Sequence, residues 1–192
     1  MKKLPHILLW LYLILFVITA FNPYDRAVWW AESLPIMVVV LILVIWYRKF
    51  QFSNTAYVLM SLWIFLHTIG AHYTFERVPF DWFNNFFGFE RNMYDRIAHY
   101  IIWFYAYPLA EYLTRKNLVK APWVVYGFAI CAIFTLASAY EIAEWIYAVK
   151  AWGEQGIAFL GSQGDIRDAQ KDMLADGLGA ITSMVIFWLQ KK

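Results

Sequence analysis

The chain has 192 residues, of which 62% are hydrophobic, 21% aromatic and 16% charged, with a net charge of +2. Ordinary soluble domains have about 45–50% apolar and about 25% charged residues, so a soluble globular fold, a disordered chain and a disulfide scaffold are all excluded. The lone cysteine, Cys131, can form no intrachain disulfide, and the weak net charge without a basic aromatic patch excludes a nucleic-acid partner.

Six stretches approach the roughly 20 apolar residues that cross a bilayer as a helix. They run approximately 4–21, 28–47, 55–75, 95–114, 122–147 and 168–189. The expectation is an all-α polytopic membrane bundle in one domain, since no repeat or linker divides the chain. The first stretch follows Lys2 and Lys3 in the manner of a signal peptide. Its apolar run is long, and no small-x-small cleavage site precedes Asn22, so it reads as a retained helix. Lys2 and Lys3, Arg48 and Lys49, Arg115, Lys116 and Lys120, and Lys191 and Lys192 fall on alternate ends of the six spans, in groups without acids. The positive-inside rule then places both termini in the cytoplasm. The long connection after span three, ERVPFDWFNNFFGFERNMY, mixes aromatic and charged residues and suits the membrane interface. The connection after span five, KAWGEQGIAFLGSQG, is marked by its glycines as turn-rich.

On this topology every acid except Glu111 lies in the outer half or the outer loops, together with His67, His72 and His99; His6 stands alone at the inner end of span one. At about 1.5 Å per residue, His67 is roughly 18 Å and His72 roughly 25 Å above the inner end of span three. Asp95/His99 and Asp172/Asp176 are i,i+4 pairs and Glu141/Glu144 is an i,i+3 pair, so each pair shares a helix face. His67 and His72, five apart, diverge by about 140° on a regular helix, unless Gly70 between them allows a bend. Ionisable residues at membrane depth are costly and mark a cavity or functional site. The competing reading is a wet rim in which Asp95 and Asp168 are helix-start carboxylates paired with Arg96, Arg167 and Lys171.

A histidine and carboxylate cluster of this kind can hold a divalent metal that activates water or polarises a phosphoryl oxygen. Without metal, neighbouring carboxylates suit general acid–base work or a proton relay. No Walker loop, dinucleotide fingerprint, HExxH or Glu-x-x-His motif is present.

The segments HTIGAHYTF at 67–75, YDRIAHY at 94–100, YEIAEW at 140–145 and GSQGDIRDAQKDMLADGLGA at 161–180 resemble the YjdF family of bacterial inner-membrane proteins, a domain of unknown function. The second half also resembles the VanZ-like superfamily. Asp95, Arg96 and His99 match its first element, Glu141 or Glu144 its second, and Arg167, Asp168, Asp172, Gly177 and Gly179 its third. The Gln that follows the second-element Glu in that superfamily is not evident; Glu144 occupies its neighbourhood. The resemblance implies a multi-pass protein of the bacterial inner membrane with its polar motifs toward the periplasm, and supplies no reaction.

The leading expectation is a metal-dependent hydrolase or transferase acting on a lipid or lipid-linked envelope substrate. Glu141, Glu144, Asp95 and Asp176 would be catalytic, His67, His72, His99 and Asp172 would hold the divalent ion, and Arg96 and Arg167 would bind an anionic headgroup. The alternatives are a small proton-coupled transporter using the same acids, and a structural or regulatory membrane protein without chemistry.

Overall fold

The computed structural model describes residues 3–152, 163, 165 and 167–190, and of residues 143, 144 and 147–152 the backbone alone. All regular structure among the described residues is helical. The chain divides into two compact units, residues 1–98 and 99–192. No linker marks the division, which falls inside a helix.

The first unit begins with α1 (Leu4–Ala20) and α2 (Arg26–Trp46). The start of α2 lies two residues before the boundary expected from hydropathy because Asp25 caps it: Oδ1 accepts the amides of Ala27 at 2.7 Å and Val28 at 3.0 Å. That satisfies two of the donors a helix start leaves open. Helix α3 (Asn54–Tyr73) starts at a Ser53 cap, whose Oγ accepts the Ala56 amide at 3.1 Å. It stops two residues short of the expected boundary because Thr74 and Phe75 both turn left-handed, with φ of 60° and 55°. The Phe75 ring folds back over Gly70, where a Cβ would meet it, so a larger residue there requires the ring to shift. Helices α1 and α2 both pack on α3. The short α4 (Asp81–Phe87) lies in the aromatic connection; Trp82, Phe86 and Phe87 stand exposed while Asn84 is buried and accepts the Met93 amide at 3.1 Å. At the end of the unit, the Tyr94 hydroxyl donates to the Leu66 carbonyl at 2.7 Å.

The division falls within α5 (Tyr94–Ile102), which is followed by a 3₁₀ turn (Trp103–Tyr105) and α6 (Ala106–Arg115). Over the stretch that the sequence reads as one span, 95–114, the chain stays helical and tightens to a 3₁₀ turn in the middle. The reason is Pro108. It has no N–H to donate to the Phe104 carbonyl, and its ring crowds that carbonyl, so the backbone tightens there.

Helices α7 (Pro122–Trp152) and α8 (Asp168–Gln190) are the remaining helices of the second unit among the described residues. α8 packs against α6, α7 and the 3₁₀ turn. Gly179 meets the carbonyl of Tyr100 so closely that a Cβ would overlap it. Small residues at such a crossing let two helix backbones approach, as helices in membranes require. Side-chain hydrogen bonds flank it, from Tyr100 Oη to Thr182 Oγ1 at 2.8 Å and from Tyr107 Oη to Gln190 Oε1 at 2.6 Å.

Among the described residues, four helices are long and apolar enough to cross a membrane, Arg26–Trp46, Asn54–Tyr73, Pro122–Ile142 and Asp168–Gln190; the apolar α1 is shorter. Side-chain placement is inverted relative to a soluble protein. On α8, Leu174, Leu178, Ile181 and Val185 form an exposed stripe, while Asp168, Asp172, Asp176, Gly179 and Ser183 are buried. This is the pattern of a helix with lipid on one side and a polar interior on the other.

Candidate metal centre

The polar face of α8 is built by spacing alone. Asp168, Asp172 and Asp176 recur every four residues and share one side of the helix. They are 5%, 4% and 1% exposed, so the row points inward from first to last. The helix start is anchored by Asp165, which accepts the Arg167 amide at 3.1 Å and the Lys171 ammonium at 2.6 Å and whose carbonyl accepts the Asp168 amide at 3.0 Å. Lys171, one of the basic partners that the wet-rim reading gave to the helix-start carboxylates, pairs with Asp165.

From α5, His99 meets this row. Its Nδ1 lies 3.2 Å from Asp176 Oδ1 and its Nε2 lies 3.9 Å from Asp172 Oδ1. One imidazole thus stands between two buried carboxylates a helical turn apart. Glu141 arrives from α7, half-buried. One ligand atom each from His99, Glu141 and Asp176 all lie within 4.8 Å of one another. The second oxygen of Asp176, Oδ2, is buried and has no hydrogen-bond partner among the described residues. A buried carboxylate oxygen in that condition is costly unless a proton or a cation is supplied to it.

The chemistry of this set fits a divalent ion. Imidazole with carboxylates suits zinc, iron or manganese. A metal-bound histidine ordinarily gives its other ring nitrogen to a carboxylate that fixes its orientation. His99 has a carboxylate on each side: Nδ1 is within hydrogen-bond distance of Asp176, while Nε2 faces Asp172 at 3.9 Å, beyond hydrogen-bond range.

The other residues singled out from the sequence are distributed differently. His67 and His72 lie on α3 in the first unit. His67 Nε2 sits 3.0 Å from Glu32 Oε2, and His72 Nδ1 sits 2.8 Å from the Thr19 carbonyl. Glu32 was absent from the sequence-derived set, although it lies inside an otherwise uncharged apolar span, a signal that could have found it. Asp95 and Arg96 lie on the first turn of α5, four and three residues before His99. Arg167 is exposed just ahead of α8. The Glu144 side chain lies outside the described residues. Glu111, the acid at the other end of the helices, is buried and salt-bridged to Arg115 one turn on.

Comparison with known proteins agrees with the helical, lipid-facing build. A family model described as predicted membrane protein (DUF2238) matches residues 4–192. The chain belongs to this family. It is also 31% identical over 174 residues to the inner membrane protein YjdF of Escherichia coli (strain K12), covering 90% of this chain and 83% of that relative. No solved structure matches. Family membership and this relative make the chain a multi-pass inner-membrane protein.

Proposed function

We propose that the second unit holds a divalent metal ion between α5, α7 and α8 and acts on a lipid or lipid-linked envelope substrate at the periplasmic face, by hydrolysis or by phosphoryl or acyl transfer. The observation that carries this reading is the buried, unpartnered Oδ2 of Asp176 within a group that also contains His99 and Glu141. Asp176, Glu141 and His99 Nδ1 would be the protein ligands, with Asp172 fixing the imidazole through Nε2. A bound divalent ion supplies Lewis-acid polarisation of a phosphoryl or carbonyl oxygen and a water of lowered pKa.

The chain's own residues do the rest. Glu141, half-buried, is placed to exchange a proton with substrate or water. The lipid-facing stripe of α8 leaves the polar face reachable by a molecule that keeps its tail in the bilayer. Arg167, and Arg96 three residues before His99, would engage an anionic headgroup, for which the planar guanidinium gives paired hydrogen bonds. The likeness of the second half to the VanZ-like superfamily and the orientation with both termini cytoplasmic belong to this proposal. The basic groups at alternate span ends support that orientation.

The test is metal stoichiometry on protein purified in detergent without chelators or an affinity metal. The reading expects about one divalent ion per chain, lost in His99→Ala and Asp176→Asn. Release of headgroup or phosphate is then followed with phosphatidylglycerol and a polyprenyl diphosphate as probes. Metal-free wild-type protein that stays folded and takes up no ion on titration would end the metal reading.

A further inference from the structure

The first unit contains a cavity that the His/carboxylate chemistry does not use. It has a volume of about 170 Å³ and lies among α1, α2 and α3. Leu8, Leu9, Val40, Leu43 and Val44 give it an apolar wall, and His6, Tyr12 and Tyr47 line it as well. An apolar cavity of about 150 Å³ is large enough to take up a benzene-sized guest, so this one has room for a stretch of hydrocarbon chain.

Two features make it more than a gap in packing. The hydroxyls of Tyr12 and Tyr47 are both buried and have no hydrogen-bond partner among the described residues. Tyr12 as a whole is 5% exposed. A phenol buried without a partner is unfavourable, and both rings border one cavity, so a small ring movement toward an occupant that accepts hydrogen bonds would satisfy the two hydroxyls. The second feature is position. His6 lies in the first turn of α1 and Tyr47 caps the end of α2, their rings in edge contact with centroids 5.3 Å apart. That end of the unit is therefore where a membrane-spanning helix meets water. Long side chains in helices lean toward the N-terminus, which carries the Tyr12 hydroxyl toward the same end. Lys3, Arg48 and Lys49 stand exposed there, and no acid occurs from residue 1 to 24 or from 33 to 75.

We infer that this cavity binds one anionic phospholipid. Its acyl chain lies along the apolar wall, its ester carbonyls accept from the Tyr12 and Tyr47 hydroxyls, and its phosphate meets Lys3, Arg48 and Lys49. Ester carbonyls lie at the boundary between hydrocarbon and headgroup, the depth at which the tyrosines and the basic residues adjoin. Basic groups beside spanning helices select anionic headgroups by charge.

The experiment is thermal unfolding of the full chain in detergent, titrated separately with phosphatidylglycerol and phosphatidylcholine. Phosphatidylglycerol should raise the midpoint at a lower concentration than phosphatidylcholine. The Arg48→Gln/Lys49→Gln variant should lose that preference. Tyr12→Phe/Tyr47→Phe keeps the ring shapes and should need roughly tenfold more phosphatidylglycerol for the same shift, as expected for two hydrogen bonds. In lipid-free detergent this variant should unfold no earlier than wild type, because it removes only unpartnered hydroxyls. Equal response to the two lipids, an unchanged titration in the tyrosine variant, or early unfolding of that variant without lipid would each overturn the inference.

Discussion

Each unit places a histidine against a carboxylate, and the two pairs are built differently. In the first unit His67 meets Glu32 with side chains 15% and 28% exposed. In the second, His99 meets Asp176 and Asp172 with side chains 19%, 1% and 6% exposed. The His67 contact is a single partly solvated pair across two helices. The His99 contact joins two buried carboxylates with a third acid from another helix. A partly solvated pair can satisfy its charges with water, whereas a buried carboxylate oxygen has to find a proton, a donor or a cation. The lesson is that a histidine and an acid at membrane depth become a candidate site through burial and convergence.

The comparison breaks most visibly at the buried acid. Asp176→Asn keeps the size of the side chain but removes the charge, and His99→Ala removes the imidazole. Either should abolish stoichiometric metal, measured by elemental analysis of purified protein. His67→Ala, the matching change in the first unit, should leave the metal content of wild type. Loss of metal on His67→Ala with retention on His99→Ala would reverse the assignment.

Next in size is the helix crossing that supports the second unit. Gly179→Leu drives a side chain into the Tyr100 carbonyl. Overpacking typically destabilises by about 1–3 kcal/mol, and backbone rather than a movable side chain stands in the way here. The expected result is a large fall in thermal midpoint or in folded yield, read by size-exclusion profile in detergent. Gly179→Ala should fall between the two, because even one methyl group overlaps the carbonyl.

A finer test separates ligand from orienting group. Asp172→Asn should keep the ion but weaken its binding by about 10–100-fold, the usual cost of losing a carboxylate that orients a metal-bound histidine. Metal competition with a chromophoric chelator reads that change. An effect as complete as that of Asp176→Asn would make Asp172 a ligand itself.

The smallest effect belongs to the first pair. Glu32→Gln should change stability by about 1 kcal/mol or less, since partly solvated ion pairs contribute little. Thermal unfolding of the variant in detergent checks this. A drop of several degrees would show that the pair is held away from water and carries more of the first unit's stability.

Much of this molecule was legible without coordinates. The lipid-facing character follows from composition, because 62% hydrophobic residues in 192 cannot be hidden inside so small a fold. Helices follow from run length, and their observed ends differ by a few residues from the expected ones where Asp25, Ser53 and the left-handed pair at Thr74 and Phe75 intervene. Those are local hydrogen-bond and backbone effects that hydropathy does not register. The tightened turn before Pro108 was readable from the proline and was missed because the stretch stayed apolar throughout. The shared face of Asp168, Asp172 and Asp176 was likewise fixed by helical spacing.

Only tertiary structure decided which partners meet. Periodicity says that a residue faces inward and is silent about which helix lies opposite. Pairing depends on the close approach that Gly179 permits and on where α7 delivers Glu141. Hence His67 lies against Glu32, a residue the sequence reading passed over, while His99 lies between Asp172 and Asp176. Burial was also a tertiary outcome, because a carboxylate at the start of a spanning helix can sit in water or in a packed interior with the same sequence around it. The composition required a membrane; the packing of α5, α7 and α8 set which of its few charged groups were removed from water.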